Sequence, residues 1–335
     1  MRIAVDVMGG DFATRETVAG AVQAAREMPD TTLVLVGQPG VVEDELARHD
    51  TAGLALEIAQ ATDVIRMEEA PAAAVRARPG ASIVVATEMV KRGDVDALAT
   101  VGHTGAGMVA AVLILGRIPG IKRPAAGVPV LGLQPRTFFW DVGANVDCKP
   151  VHLLQFGLMG SLYVERVEGI ADPTVALLTN GVEDSKGDSL TQAAFPLLAE
   201  SGLNFVGNVE ALDVIHGRVN VVVCDGLVGN VLLKCIESLS NLMLDLVEAE
   251  VGTRLPAPVS RDLFTPAMAD LRRRSDYAEV GAAPLLGVQG HVVIGHGRSR
   301  AGAVKQAIHQ ARRIAKADLV SAITQRLANL ATADG

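Results

Sequence analysis

A repeating unit of local sequence constrains the fold of this chain more than any other feature. Each unit is a short run of β-branched and other apolar residues, then a turn that contains glycine, then a helical pattern. The first unit joins Arg2–Val7 to the turn Met8-Gly9-Gly10-Asp11 and to a helix expected from about Thr14. Runs without polar alternation, such as Val221-Val222-Val223, are typical of parallel strands that are covered on both faces. The sequence therefore predicts a layered α/β fold with right-handed crossovers.

The later units repeat this order of strand, turn and helix. Strands are predicted at 32–36, 97–101, 137–142, 174–178, 203–206 and 219–224, with glycine turns at 102–107, 143–145, 179–181 and 225–230. Ligands of parallel α/β sheets bind beyond the carboxyl ends of the strands, so we expect these turns to share one edge of the sheet. Each turn leads to a helix N-terminus, where free N–H groups and the helix dipole favour an anion. Several such turns together indicate a phosphate or a phosphate-bearing ligand.

Composition and charge exclude several classes of protein. The chain has 335 residues, of which 49% are hydrophobic and 20% charged, which excludes a disordered chain and permits one large domain. We expect a single α/β/α domain over residues 1–335, with a helical excursion at about 236–277. The net charge of -8 and the aromatic content of 3% argue against binding of nucleic acid. The apolar run Gly105–Gly116 is too short to span a membrane and the N-terminus does not resemble a signal peptide, so we expect a cytoplasmic protein.

No motif in the sequence predicts a metal or an organic cofactor. The three cysteines, Cys148, Cys224 and Cys235, form no CxxC pair and are interpreted as ordinary thiols of a reducing compartment. His291 and His296 are five residues apart around a strand, which places them on opposite faces. The chain has no GxxxxGK[ST], no GxGxxG at the expected turn and no GxSxG, so nucleotide hydrolysis, dinucleotide binding and α/β-hydrolase chemistry are disfavoured.

A long helical pattern at 231–251 carries one apolar seam. Its members recur at intervals of three and four residues: Leu232, Ile236, Leu239, Met243 and Leu246. Core packing or a dimer interface is the default interpretation, and contact with a lipid surface is the alternative.

Two polar residues at predicted turns have a structural and a functional interpretation. Lys186 lies among acidic residues and is either a solvated surface residue or a point charge for a phosphate. Asn230 is either an N-cap of the long helix or an amide donor aimed at a substrate carbonyl.

Read in order, the turn motifs resemble those of the bacterial phosphate acyltransferases of phospholipid synthesis (the PlsX-type enzymes). The segments that carry the resemblance are Val5–Asp11, Gly102–Ala106, Asp141–Asp147 with Lys149-Pro150, Glu183–Leu190, Gly207–Glu210, Asp225-Gly226 with Gly229-Asn230, and Gly295–Gly297. The sequence departs from the family pattern at His103, where Asn is usual, and at Phe12 and Thr14, where His and Pro are usual.

The resemblance implies a three-layer α/β/α fold similar to phosphotransacetylases and isocitrate-type dehydrogenases. It implies formation of acyl phosphate from an acylated acyl carrier protein and inorganic phosphate, without a cofactor. It also implies a homodimer that associates peripherally with the inner face of the membrane, where the membrane glycerol-3-phosphate acyltransferase would use the product. The family's catalytic Lys and Asn fall by motif on Lys186 and Asn230.

The same motifs supply the candidate phosphate-binding or substrate-binding residues: Asp6, Gly9, Gly10, Asp11, Gly102, His103, Thr104, Gly105, Asp141, Gly143, Asn145, Asp225, Gly226 and Gly229. The basic run Arg272, Arg273 and Arg274 is either a solvated helix face or a dock for the acidic carrier protein. Three other functions stay open at this point. They are a nicotinamide-dependent dehydrogenase of similar fold, a non-catalytic scaffold of lipid synthesis at the membrane, and a phosphotransacetylase that uses acyl-CoA.

Overall fold

One eleven-stranded sheet forms the middle layer of the protein in the computed structural model, which describes residues 1–130, 137–252, 254–275 and 282–333. The strands are β1 (Arg2–Asp6), β2 (Thr32–Gly37), β3 (Leu56–Gln60), β4 (Ala97–Thr100), β5 (Ala125–Pro129), β6 (Phe138–Trp140), β7 (Val175–Leu178), β8 (Phe205–Val209), β9 (Val221–Val223), β10 (Ala282–Leu286) and β11 (Val292–Gly295). Their order across the sheet is β3-β2-β1-β4-β11-β10-β5-β6-β9-β7-β8.

Helices cover both faces of this sheet. They are α1 (Arg15–Glu27), α2 (Pro39–Leu46), α3 (Pro71–Ala77), α4 (Ser82–Arg92), α5 (Thr104–Ala110), α6 (Pro150–Glu168), α7 (Ser189–Ala199), α8 (Ala211–Ile215), α9 (Gly226–Gly252), α10 (Ala257–Val259), α11 (Thr265–Ser275), α12 (Ala301–Lys316) and α13 (Leu319–Ala333). Turns of π-helix extend α5 over Ala111–Leu115 and join α10 to α11 over Ser260–Phe264. The predicted α/β/α class with a mostly parallel sheet is confirmed.

The sheet consists of two parallel blocks that run in opposite directions. Strands β3, β2, β1, β4 and β11 form one block, and β6, β9, β7 and β8 form the other. The reversal arises in the middle, where β10 is antiparallel to both β11 and β5, and β5 is antiparallel to β6. The expectation that all glycine turns share one edge is therefore wrong, because the turns form two groups, one at the carboxyl end of each block.

The two groups of turns nevertheless contribute to one cleft over the central strands β5 and β10. Residues from both blocks line that cleft, as described below.

The apolar core is divided by the sheet, as a three-layer fold requires. One cluster joins β1, β2 and β4 to α1, α6 and α12, with Trp140, Tyr163 and Phe156 among its largest buried side chains. A second cluster lies on the opposite face beneath α3, α4 and α5, and a third covers the β6–β9–β7 block. The continuous apolar runs that predicted parallel strands are thus buried on both faces.

Two local features differ from what the sequence indicates. The Ala-rich pattern from about Arg300 to Leu330 predicts one long helix, but the chain is interrupted at Asp318, whose φ of 44° separates α12 from α13. The prolines of 252–266 predict a loop-rich stretch, which in the structure contains α10 and a π-helical turn. The apolar run Gly105–Gly116, for which the sequence predicts a buried core helix, is helical, and Leu113 on it is 47% exposed.

Candidate active site

A cavity of about 210 Å³ lies where the two groups of turns meet. Its walls come from α5, from β5, β10 and β11, from the turn after β6, and from the first turns of α9. The lining residues are Thr104, Met108, Ala126, Val142, Gly143, Ala144, Asn230, Leu233, Lys234, Ala283, Leu285, Ile294, Gly295 and His296. Of the predicted site residues, the structure brings Thr104, Gly143 and Asn230 together around this cavity.

The turn after β6 is organised by the buried carboxylate of Asp141. Its Oδ1 accepts hydrogen bonds from the backbone N–H groups of Ala126, Val142 and Ala144, at 2.7 to 3.1 Å. Its Oδ2 accepts two more from the backbone N–H and Nδ2 of Asn145, at 2.7 and 2.9 Å. Burial raises the pKa of Asp141, while these hydrogen bonds act in the opposite direction. Asp141 and Asn145 therefore shape the wall of the cavity from behind, and Gly143 faces it.

The start of α9 is seated directly on this turn. The N–H of Gly226 donates to the carbonyl of Asn145 at 2.8 Å. A Cβ added at Gly229 would lie 1.9 Å from the carbonyl oxygen of Asp141, so only glycine permits this approach. The predicted residues Gly226 and Gly229 thus place α9, and neither is among the residues that line the cavity.

Asn230 is not the N-cap of α9. Asp225 has that position, since its Oδ1 accepts from the N–H groups of Leu227 and Val228 at 2.9 and 3.1 Å. Asn230 lies one turn further on, is exposed, and is beside Gly143. A Cβ built on Gly143 would lie 3.8–3.9 Å from atoms of the Asn230 side chain. The amide of Asn230 is therefore not needed to cap the helix and faces the cavity.

The turns after β1 and β4 form the second group. Asp6 is buried, and its Oδ2 accepts from Thr100 Oγ1 at 2.8 Å; burial raises the pKa of this carboxyl. A Cβ on Gly9 would lie 2.6 Å from the Cα of Gly102, so the two turns touch through their backbones. The N–H of Asp11 donates to the carbonyl of Gly297, which follows β11. Gly10 has a positive φ of 101° in the same turn.

His103 has a structural role at the start of α5. Its Nδ1 accepts from the N–H of Ala106 at 3.4 Å, so Nε2 carries the proton that is donated to the carbonyl of Glu69 at 3.1 Å. The imidazole is an N-cap, a role in which asparagine is also effective. Gly105 packs against Pro71, and Thr104 reaches the cavity.

Lys186 lies outside the cavity, on an exposed loop that is nevertheless well tethered. Asn208 donates Nδ2 to the carbonyl of Glu183 at 2.8 Å, and Asn180 accepts from the N–H of Gly187 at 3.0 Å. Gln192 donates to two further carbonyls of the loop. Because β7 pairs with β9, this loop and the start of α9 leave the same edge of the sheet. Lys186 and Asn230 therefore share an edge, but only Asn230 lines the cavity.

The surroundings of Cys148 and Cys224 disfavour the thiolate form of both side chains. Burial raises the pKa of Cys148 to about 11, helped by Asp141 and Asp225, and raises that of Cys224 well above its usual value. Among residues 1–130, 137–252, 254–275 and 282–333, no group of three or more His, Cys, Asp or Glu is placed to hold a metal ion.

The predicted carrier dock is partly engaged within the chain. Arg272 bonds to Asp245 at 2.7 Å and to Glu248 at 2.5 Å, both on α9, and Arg273 is paired with Asp270. The side chain of Arg274 lies outside the described residues. Two of the three guanidinium groups therefore already have carboxylate partners.

Two residues of the cavity were missed by the sequence analysis. Lys234 and His296 line it together, with Lys234 Nζ 3.1 Å from His296 Nε2. The spacing of four residues between Asn230 and Lys234 was the available signal, since such residues share one face of a helix. The position of His296 in the Gly295–Gly297 motif was noted without a role.

The fold defines the class of protein first. The structure resembles a phosphotransacetylase from Streptococcus pyogenes, with a TM-score of 0.60 over 94% of each chain at 17% identity. It also resembles a 4-hydroxythreonine-4-phosphate dehydrogenase from Klebsiella pneumoniae, with a TM-score of 0.54 over 94% of this chain and 99% of that one at 14% identity. At such identities the likeness concerns the fold, a cleft-forming α/β/α architecture shared by different enzymes.

The sequence comparisons assign the family. The model of the family described as "Fatty acid synthesis protein" matches residues 1–322. The phosphate acyltransferase of Pelotomaculum thermopropionicum is 48% identical over 93% of this chain and 91% of its own length. That of Desulforudis audaxviator is 45% identical over the whole of both chains. The chain belongs to this family of phosphate acyltransferase enzymes.

Proposed function

We propose that this protein transfers the acyl group of an acylated acyl carrier protein to inorganic phosphate and so makes acyl phosphate for phospholipid synthesis. The observation that carries the proposal is the cavity, where Asn230 and the turn at Gly143 from one block face Thr104 and His296 from the other. A cleft that assembles groups from two blocks can hold two substrates against each other. Family membership supports an acyl donor and phosphate as those substrates.

The chemistry needs no intermediate bound to the enzyme. An oxygen of hydrogen phosphate forms a bond to the thioester carbonyl carbon, and the carbon–sulfur bond breaks. The electron pair leaves with the sulfur, the proton of the hydrogen phosphate goes to the resulting thiolate, and acyl phosphate remains. Catalysis then consists of positioning and of stabilising the negative charge that develops on the carbonyl oxygen.

Each proposed role follows from where the residue lies. Asn230 donates its amide N–H to the carbonyl oxygen, because its side chain faces the cavity and does not cap the helix. Backbone N–H groups of the turns hold the phosphate. Lys186 offsets negative charge on phosphate or on the developing oxyanion from the tethered loop at the same edge.

A second candidate function differs from the proposed one only in the acyl donor. The phosphotransacetylase fold also fits an enzyme that uses acyl-CoA. The deciding assay measures phosphate-dependent release of free thiol from a long-chain acylated carrier protein and from the matching acyl-CoA, with phosphate omitted as the control. We expect the carrier to be the better donor by kcat/KM. A higher kcat/KM for acyl-CoA would favour the second function, and no thiol release from either donor would contradict both.

Part of α9 supports the proposal of a homodimer that associates with the membrane surface. Six of its apolar residues beyond Leu233 are 38–54% exposed, and we call them the distal stripe: Leu239, Leu242, Met243, Leu246, Val247 and Val251. Exposed apolar surface of this extent is unfavourable in a monomer in water. We propose that a second copy of the chain and the inner face of the membrane cover it, near the membrane glycerol-3-phosphate acyltransferase.

Peripheral contact fits this helix better than a membrane span. By length and composition, α9 is apolar enough to cross a membrane. Its first turns, however, are seated on the Asp141 turn through Gly226 and Gly229, and Leu233 is buried one turn further on. A span would require these contacts to break, whereas surface contact needs only the exposed distal stripe.

A further inference from the structure

The second turn of α9 places an ammonium group in the cavity beside Asn230. Asn230, Leu233 and Lys234 all line it, because residues three and four apart lie on one face of a helix. The Lys234 side chain lines the cavity and is 43% exposed, so it is accessible to solvent as well. This differs from Lys186, which lies on the loop after β7 and does not line the cavity.

Within the described residues, the Lys234 ammonium contacts Glu237 and His296. Nζ donates to Glu237 Oε2 at 2.7 Å along the same helix, and it lies 3.1 Å from His296 Nε2 at the end of β11. Since an ammonium group only donates, Nε2 of His296 is the acceptor, and the neutral ring carries its proton on Nδ1. The contact with His296 also ties the helix of one block to the strand end of the other.

Lys234 brings a positive charge to the lining of the cavity. Of the described residues that line the cavity, Lys234 is the only one whose side chain carries a full positive charge. An anion with two charges is costly to hold in an apolar cavity unless a cation accompanies it. A lysine suits phosphate as a compact point charge with several donors.

We infer that Lys234 contacts the phosphate within the cavity, next to the amide of Asn230, and that His296 and Glu237 are positioning residues for its ammonium group. The inference rests on the proposed function, since it assigns the phosphate of that reaction to a particular cation. Lys234 is thus a substrate-binding residue in addition to Lys186.

The test compares Lys234→Met and Lys234→Arg with Lys91→Met. Lys91 is an exposed lysine in the last turn of α4, the helix that leads into the amino end of β4 and so ends away from the cavity. Binding of inorganic phosphate alone is measured by calorimetry, and KM for phosphate and for the acylated carrier are measured separately. We expect Lys234→Met to weaken phosphate binding and raise KM for phosphate at least about tenfold, because a hydrogen bond to a charged group is lost. KM for the carrier should stay within about twofold.

The conservative variant separates binding from a structural role. Lys234→Arg should recover most of the phosphate affinity, and Lys91→Met should match the wild type. If Lys234→Met does not fold, Lys234→Gln takes its place, because it keeps a donor and removes the charge. Unchanged phosphate affinity in a folded Met or Gln variant would overturn the inference.

Calorimetry also separates this inference from the proposed function. If the wild type releases no thiol from either acyl donor but loses phosphate binding on Lys234→Met, the proposed reaction fails and the phosphate contact stands. If the wild type is active and the variant binds phosphate normally, the reaction stands and the contact fails.

Discussion

The two halves of α9 share one apolar spacing but have opposite surroundings. The near half, Gly226–Lys234, is seated on the Asp141 turn and lines the cavity. The far half, Leu239–Gly252, leaves the sheet, exposes the distal stripe and contacts α11 through the Arg272 ion pairs. A single helix thus connects the site of the proposed reaction to the surface proposed to meet a membrane. The comparison shows that hydrophobic periodicity alone does not distinguish a buried helix from an exposed one.

The largest expected difference between the halves concerns catalysis. Asn230→Ala should lower kcat by about 10² to 10³, or ~2.7–4 kcal/mol, because one donor to the developing oxyanion is removed. Asn241→Ala, the same change at an exposed position of the far half, should leave kcat within about twofold. Thiol release under saturating substrates measures both. Equal activity of the two variants would remove Asn230 from the mechanism.

A loss of similar size is expected on the neighbouring loop. Lys186→Ala should lower the rate by at least about 10², because the proposed charge on this edge of the sheet is lost while the loop keeps its tethers to Asn208 and Asn180. The readout is kcat/KM, with circular dichroism to establish that the variant is folded and Lys91→Ala as the matched control. Near-normal turnover would leave Lys234 as the lysine of the reaction.

The next difference concerns stability. Gly229→Ala should destabilise the protein by about 1–3 kcal/mol, because the new Cβ would overlap the carbonyl oxygen of Asp141 and push α9 off its seat. Gly252→Ala in the far half meets only the edge of the Phe264 ring at 3.0 Å, and a side chain can move. Urea unfolding of both variants measures the contrast. A smaller loss of unfolding free energy for Gly229→Ala than for Gly252→Ala would contradict the close contact between α9 and the Asp141 turn.

The far half should control attachment to lipid. Leu242 and Leu246 are exposed in the protein, and we expect the lipid to bury them. Replacing both by Glu should reduce binding to phosphatidylethanolamine–phosphatidylglycerol vesicles at least about tenfold, since transfer of a leucine side chain out of water contributes ~1.5–3 kcal/mol. Asn241→Glu adds a charge beside the distal stripe and should retain most of the binding. Co-sedimentation with vesicles measures the binding of both variants. If the double variant still binds vesicles, the distal stripe does not attach the protein to lipid, and the second copy of the chain is the remaining proposed cover.

The smallest expected effect is a pH dependence of the free energy of unfolding that arises from Asp141, on whose turn the near half is seated. Because burial raises the pKa of Asp141 above its unfolded value of about 4, its contribution to stability is complete below that value. The contribution is lost as the pH rises through the folded pKa. Asp141→Asn removes this titration, so the stability advantage of the wild type should shrink as the pH rises above the unfolded value of about 4. An advantage that grows with pH in urea unfolding would show that the folded pKa is lowered instead.

Local sequence was sufficient for the parallel blocks and for the capping of several helices. The sequence predicts one helix from Pro150 and another from about Asp188. In the structure α6 begins at Pro150, and α7 begins after Asp188, which accepts from the N–H of Thr191. These features depend on residues that are close together in the chain, such as a proline at the first helical position or a carboxylate before it. The turn motifs were located correctly for the same reason.

What the sequence determined by itself is the set of local parts: apolar strands, glycine turns, helix starts and the family that their order identifies. Only the tertiary structure decided how the parts face one another. The antiparallel pairs at β5 and β10 reverse the second block, Asp225 rather than Asn230 caps α9, and Lys234 meets His296 across 62 residues of chain. Contacts of this kind follow from strand order and twist, because residues far apart in the chain come together only when the whole sheet has formed.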